Sequence, residues 1–313
     1  MAARCCWPNW QPMGSPEQLN DRAVPVRRRR TLRWSLCAAA ILGLLLAASG
    51  TVPARADGRL EGRYAASLAG IPIGKGSWTV DIRDHQYSAA AEGRVIGLMR
   101  AITRGDGTAS AEGNIAAGRL EPSAFASHTG YNHSVSDVRM KLKTGAVTSL
   151  LAEPPVQSSP DRIPVTDAHH HGVMDPMSAA LIGMPGEGEL LSPDVCRRTL
   201  PIFDGYQRFD LVLAFKRMDE ASMARGYEGP AVVCTVNYRP IAGHRPARFA
   251  IRYLMEQRDM EIWFAPIAGT RVLAALRMYV PTLFGPAVLQ ATQFTATVTG
   301  SRADAGPAEH QTR

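Results

Sequence analysis

The chain has 313 residues, a formal net charge of +7 and a pI near 9.4, which would suit a nucleic-acid partner if the charge lay on a folded face. It does not: residues 1–56 hold 8 Arg against 2 acidic residues, leaving 27 basic against 26 acidic side chains in the rest. Release of counterions from a phosphate backbone needs a clustered excess of Lys and Arg, and none follows Arg55, so nucleic acid is excluded as a partner class.

The N-terminal charge has another use. Arg27, Arg28, Arg29, Arg30 and Arg33 directly precede the apolar run Trp34 to Ala48, and Ala54-Arg55-Ala56 supplies a small-x-small cleavage site. This three-part pattern predicts a secretory signal peptide, a mature start at Asp57 and a periplasmic location. The alternative is a retained membrane anchor, yet fifteen helical residues reach only about 22 Å, short of a roughly 30 Å hydrocarbon core. Residues 1–26 are long and untypical for a leader, as an upstream start codon would make them, and 1–56 are set aside from the fold.

Of five cysteines, Cys5, Cys6 and Cys37 lie in the leader, and Cys196 and Cys234 remain. Two thiols in an oxidising compartment predict one disulfide, worth about 4 kcal/mol for a loop of about 39 residues in the chain-entropy model. Two buried free cysteines acting as small apolar residues are the alternative.

Period-two alternation dominates the mature chain. Trp78, Val80 and Ile82 alternate with Thr79, Asp81 and Arg83; Val138, Met140 and Leu142 alternate with Arg139, Lys141 and Lys143, before a turn at Thr144-Gly145. The prolines at 154, 155, 160 and 164 mark an extended connector from Glu153 to Val165. Then comes the one segment that reads as helical, with Asp175 as N-cap, Pro176 at the first position and Met177 to Met184 ended by Pro185-Gly186. Further apolar rows follow at Phe209, Leu211, Leu213 and Phe215; at Val232, Cys234, Val236 and Tyr238; and at Phe249, Ile251 and Tyr253. Met260, Ile262 and Phe264 come next, with Arg258-Asp259 as a hairpin turn, and a last long strand runs from Val288 to Val298. With weaker segments near Tyr64, Tyr87, Phe125 and Leu276, this predicts ten or eleven strands. The expected fold is mainly β: a strongly curved or barrel-like antiparallel sheet with one short helix. It comprises two meanders, 57–152 and 196–300, in a single domain 57–300 with a disordered tail 301–313.

Signals for chemistry are few. His169, His170 and His171, flanked by Asp167 and Asp175, are the most conspicuous cluster; in an extended strand His169 and His171 share a face and could chelate a divalent metal, although solvated or capping histidines before a helix are the plainer reading. No Gly-x-Ser-x-Gly or Ser-x-x-Lys marks a nucleophile, and the glycines at 74, 76, 183, 186 and 188 follow no phosphate-binding spacing. Asp204 and Asp210, with Glu256 and Asp259, could be cast as paired carboxylates, but Asp204-Gly205 is first a turn signal. Arg208 and Arg252 are both candidate partners for Asp210.

The block Cys196, Pro201, Phe203, Asp204, Gly205, Arg208, Asp210, Leu211, Cys234, Tyr238, Pro240 and Gly243 resembles an exported bacterial family known only as domain of unknown function 3108. Asp175-Pro176, Pro266 and Pro281 fit as well, and the likeness covers about residues 60–298. It implies export and a β-rich fold, and no activity. Where it implies a basic pair after Asp-Gly, this chain has Tyr206 and Gln207. These readings converge on a non-catalytic periplasmic protein without a cofactor, binding an amphipathic or lipid-like envelope component, or a protein partner, on a concave sheet. The alternatives are a metal-assisted hydrolase using His169 or His171 with Asp167 or Asp175, and a purely structural envelope protein.

Overall fold

The computed structural model describes residues 57–97, 99–102, 104–156 and 159–300; the leader, its cleavage site, its three cysteines and the tail lie outside them. The N-terminal meander is β1 (Asp57–Leu68), β2 (Ile71–Arg83), β3 (Gln86–Val95), one helical turn α1 (Met99–Ile102), β4 (Gly105–Ala116), β5 (Arg119–Tyr131), β6 (Ser134–Lys143) and β7 (Ala146–Glu153). The connector then forms a 3₁₀ turn (Asp167–His170), α2 (Pro176–Ala179), β8 (Leu181–Gly183) and a second 3₁₀ turn (Pro193–Cys196). The C-terminal part is β9 (Arg198–Phe203), β10 (Arg208–Ser222), β11 (Arg225–Gly226), β12 (Glu228–Ala242), α3 (Phe249–Glu256), β13 (Glu261–Pro266), β14 (Val272–Val280) and β15 (Ala287–Thr299). Among the described residues no helix is long and apolar enough to cross a membrane.

All these strands belong to one sheet, ordered β7-β6-β5-β4-β3-β2-β1-β15-β14-β13-β12-β10-β9, so the first and last strands pair in its middle. Neighbours along that path are antiparallel. The sheet forks between β14 and β15, which pair only through Arg277–Val280 and Ala287–Gln290. Beyond the fork β8 takes the free edge of β14, antiparallel, and β11 takes that of β15, parallel.

Hydrophobic burial follows this curl. Leu60, Tyr64, Trp78, Val80 and Phe294 gather on one side with Leu276 and Val272; Leu213, Val232, Cys234, Ile262, Phe264 and Leu273 gather on the other. Ala231, Val232, Val233 and Cys234 are all buried, which is why β12 reads as a continuous apolar run there.

Two expectations are corrected. The helix predicted through Met184 stops after one turn, because Leu181–Gly183 is drawn into β8 to satisfy the open edge of β14; the contacts of Gly183 with the backbone of Gly118 leave no room for a side chain there. The strand predicted at Phe249, Ile251 and Tyr253, with a hairpin at Arg258-Asp259, is instead α3. Ile251, Leu254 and Met255 have helical spacing, Leu254 packs on the core, and β13 pairs with β12 and β14. The described residues thus hold three short helices rather than one, and fifteen strands, the extra ones being pieces as short as β8 and β11.

An ion-pair network ties β10 to β13. Glu261 accepts from Lys216 at 2.6 Å, Trp263 Nε1 at 3.1 Å and Arg217 at 3.3 Å. The Arg217 and Arg277 guanidiniums lie 5.3 and 5.4 Å from the Trp263 ring centre. Burial works against the Glu261 charge, but the hydrogen bonds from Lys216, Trp263 and Arg217 outweigh it and hold the carboxyl at about 2. A carboxyl lowered on folding adds stability above its unfolded pKa and loses it as pH falls through the folded value. Glu261→Gln is expected to cost about 1–3 kcal/mol at pH 7 and progressively less from pH 4.5 down to 2. Urea unfolding of both proteins across that range reads this; a pH-independent difference would assign the loss to packing.

Candidate functional site

The residues that carry the family resemblance converge where the two ends of the sheet meet. The edge strands β7 and β9 share no ladder; the segment His171–Met174 lies between them. His171 bridges Ala146 antiparallel and Met174 bridges Ile202 parallel. Val173 N donates to Gly145 O at 2.8 Å, Met174 N to Pro201 O at 2.8 Å, and Phe203 N to Met174 O at 2.9 Å.

The β9–β10 turn reinforces this seam. Asp204 Oδ1 accepts from Tyr206 N at 2.8 Å and Gln207 N at 2.6 Å, a side-chain-closed turn. Burial pushes its carboxyl up, against those two hydrogen bonds. Gly205 has φ +97° and a side chain there would sit 2.6 Å from Val138 of β6, so the turn packs directly on the other end of the sheet. The Tyr206 hydroxyl donates to Glu153 O at 2.9 Å, and so accepts from Ser136 Oγ at 2.9 Å. A basic residue at this position would not supply that paired donor and acceptor. Gly243, at φ +79°, lies against the backbone of Tyr206 and Gln207 too closely for a side chain. Its N–H donates to Ile163 O, and Ile163 N returns to His244 O, which docks the proline-rich connector.

The remaining block residues serve the same neighbourhood. Of its two candidate partners, Asp210 pairs with Arg208, at 2.5 Å and largely buried. Phe209 packs on Tyr238 with ring centres 5.6 Å apart. Burial and the Asp204 charge push the Tyr238 hydroxyl up. Cys196 and Cys234 form a disulfide that fastens the second 3₁₀ turn to β12.

The structure does not give the histidine cluster the extended geometry in which His169 and His171 were expected to chelate a metal. The backbone there is a 3₁₀ turn rather than an extended strand, so His169 and His171 share no face. His169 Nδ1 accepts from Thr166 N at 3.0 Å, Asp167 is fully exposed, and His170 packs on Phe203 with burial lowering its pKa. Asp175 is 0% exposed and caps α2, accepting from Ser178 N at 2.9 Å and Ser178 Oγ at 2.6 Å. Among the described residues no three His, Cys, Asp or Glu gather to hold a metal ion.

Asp175, Ser178 and Tyr87 form a buried chain that pins α2 to β3, and periodicity alone gave no sign of it. The Tyr87 hydroxyl lies 2.7 Å from Ser178 Oγ and donates to it, since the Ser178 proton goes to Asp175. Ser178 is 0% exposed, so no substrate reaches its oxygen. A depression of about 820 Å³ on the polar face is lined by Arg63, Lys75 and Arg94 with Glu61, Glu92 and Asp106, and has no dominant sign.

If the seam carries stability, Tyr206→Phe should cost about 1–2 kcal/mol through the two lost hydrogen bonds. Gly243→Ala should cost more, because the Tyr206–Gln207 backbone must give way. Asp204→Asn, which keeps the acceptor, should stay within about 1 kcal/mol of the parent. Urea denaturation of the oxidised proteins measures all three, and a neutral Gly243→Ala would contradict the assignment.

Among curated proteins none matches the chain. A solved β-barrel-like protein of domain of unknown function DUF1849 from Brucella abortus is similar at 12% identity and TM-score 0.45, over 78% of this chain and 99% of that one. The model of the family "Protein of unknown function (DUF3108)" matches residues 63–292, from β1 into β15 and across the whole seam, and the chain therefore belongs to the DUF3108 family.

Proposed function

We propose that the chain is exported and that its mature domain is a non-catalytic envelope protein that holds an amphipathic component along an open apolar strip. The observation that carries this reading is a row of directly paired residues across five strands: Met278 opposite Leu289, Leu289 opposite Ala66, Ala66 opposite Gly74 and Gly74 opposite Val95. Directly paired residues share a face. Met278 is 36% and Leu289 44% exposed, and Ala66, Gly74 and Val95 are half-buried.

Four strand spacings give the strip about 19 Å, longer than the roughly 15 Å of hydrocarbon in one leaflet. Ala66 and Gly74 form a low floor between Leu289 and Val95, a shape that suits one acyl chain. An open strip fits better than an enclosed cavity, since buried Leu181 and Ile182 of β8 and Ala179 of α2 occupy space inside the curl. Export is supported by the arginine cluster, the apolar run and Ala54-Arg55-Ala56, and a disulfide suits an oxidising compartment.

A protein partner is favoured by one observation. β7 ends the strand order, and its consecutive residues Leu150 and Leu151, on opposite faces, are both exposed, as a strand-adding partner would use.

Native mass spectrometry of the protein recovered from a periplasmic extract, or incubated with envelope lipid, should show an added lipid-sized mass, with the polypeptide beginning at Asp57. Leu289→Lys, at an exposed position, should lose the added mass while unfolding at an unchanged temperature. A parent with no added mass, or a variant that retains it, overturns the strip; a cytoplasmic, unprocessed chain overturns export.

A further inference from the structure

One end of the sheet differs in chemistry from the other. At that end the β14–β15 loop, the β1–β2 turn, the β3–β4 connection and the β5–β6 turn touch in sequence. Ala69 N donates to Pro286 O at 2.9 Å, Ile96 N to Ile73 O at 3.0 Å, and Arg104 and Asn132 exchange hydrogen bonds of 2.7 and 2.9 Å. These contacts make a continuous rim.

The rim presents apolar side chains to solvent. Phe284 is 78% exposed, and Leu283, Ile71, Tyr131 and Val135 are each more than half exposed. Five large apolar groups on connected turns are more than scattered surface hydrophobics. The opposite turns, at 84–85, 117–118, 144–145 and 268–270, present no exposed large apolar side chain.

The charge on these turns has one sign. Segments 68–75, 131–135 and 280–288 contain Lys75 and His133 and no Asp or Glu, and Arg100 and Arg104 are exposed beside them. Lys75 also borders the mixed-charge depression described above, in which Asp106 lies opposite Arg94. α3 precedes the start of β13, which pairs with the end of β14 (Glu261 opposite Tyr279), so it adds exposed Phe249 and Met255 at the same end, with Arg248 and Arg252 balanced by exposed Glu256 and Asp259.

We propose that this rim is a docking surface for an anionic phospholipid bilayer, with Leu283, Phe284, Ile71 and Tyr131 entering the interface and Lys75, Arg100 and Arg104 meeting lipid phosphates. Shallow apolar insertion alone gives weak binding, and so does a short basic patch; the two together give stable, reversible attachment. A soluble anionic protein would account for the arginines but not for a bare Phe284 at a loop tip, whereas aromatic and basic side chains at one level are what a lipid headgroup region accommodates. The rim stands on different residues from the strip, so either assignment can fail alone.

The test is hydrogen–deuterium exchange of the full chain with vesicles of phosphatidylcholine containing phosphatidylglycerol, against phosphatidylcholine alone. Protection is expected in 68–75, 131–135 and 281–288 with the anionic vesicles only, weakening as salt is raised, and absent from the opposite turns. Leu283→Ser with Phe284→Ser, and separately Lys75→Gln with Arg100→Gln and Arg104→Gln, should each weaken that protection about tenfold or more in lipid concentration. All these positions are exposed, and unchanged exchange in β12 without vesicles confirms that the variants fold. Equal protection by neutral vesicles, protection confined to residues before Asp57, or variants that bind like the parent would each overturn the proposal.

Discussion

A sheet of this length has two ends, and the structure depends on how their backbone groups are satisfied. An open strand edge is a row of unpaired donors and acceptors, costly when buried and adhesive when exposed. Here β7 and β9 do not pair; His171–Met174 is laid between them and bonds to both sides. Since β1 and β15 pair in the middle of the strand order, the N- and C-terminal parts are tied twice: once by the chain's first and last strands and once by its connector. Residues 171–174, between the proline-rich connector and α2, are therefore structural parts of this junction. The disulfide acts beside this seam, holding the turn that leads into β9 against β12.

The family block is explained by that tie. Asp204 closes the turn, Gly205 lets it approach Val138, Tyr206 reaches across to Glu153 and Ser136, and Gly243 lets another turn lie against its backbone. A buried carboxylate at a sheet junction could suggest acid–base chemistry, but Asp204 has both partners within its own turn. The most specific sequence signal in the chain thus coincides with the contacts that hold the seam.

What could be read in advance follows from which forces are local. Alternation such as Trp78, Val80 and Ile82 is local, and it located most strands and the mainly β class. Asp175-Pro176 is local too and marked the helix start. The end of that helix was not legible, because Leu181–Gly183 is claimed by an edge of β14 about ninety residues later. Phe249, Ile251 and Tyr253 misled for the converse reason: a short amphipathic helix with large apolar residues two and four apart mimics period two, and only the packing of Leu254 decides. Cys196 and Cys234 were named as a pair from their number alone. For the histidines the plainer reading matches the local geometry: His169 accepts from the Thr166 N–H in a 3₁₀ turn, whose backbone does not alternate faces as a strand does. Neither the strip nor the rim has a local signature at all, since both are assembled from strands whose register is set by distant turns.

The strip and the rim nonetheless meet. Leu289 lies three residues past Pro286 and Ala66 three before Ala69, the two residues whose hydrogen bond fastens the β14–β15 loop to the β1–β2 turn. Val95, at the other end of the strip, directly precedes Ile96, whose N–H donates to Ile73 O near the start of β2. On the proposed reading, an acyl chain leaving a bilayer touched by Phe284 and Ile71 would pass onto Leu289 and Ala66 without crossing water. Each methylene kept out of water on that path saves about 0.8 kcal/mol, so continuity between the two surfaces lowers a transfer barrier that neither surface could lower alone. An apolar strip starting at an apolar, basic rim is therefore a more economical arrangement for an amphipathic ligand than an enclosed barrel, and it leaves the seam at the far edges of the sheet free to do nothing but hold the curl.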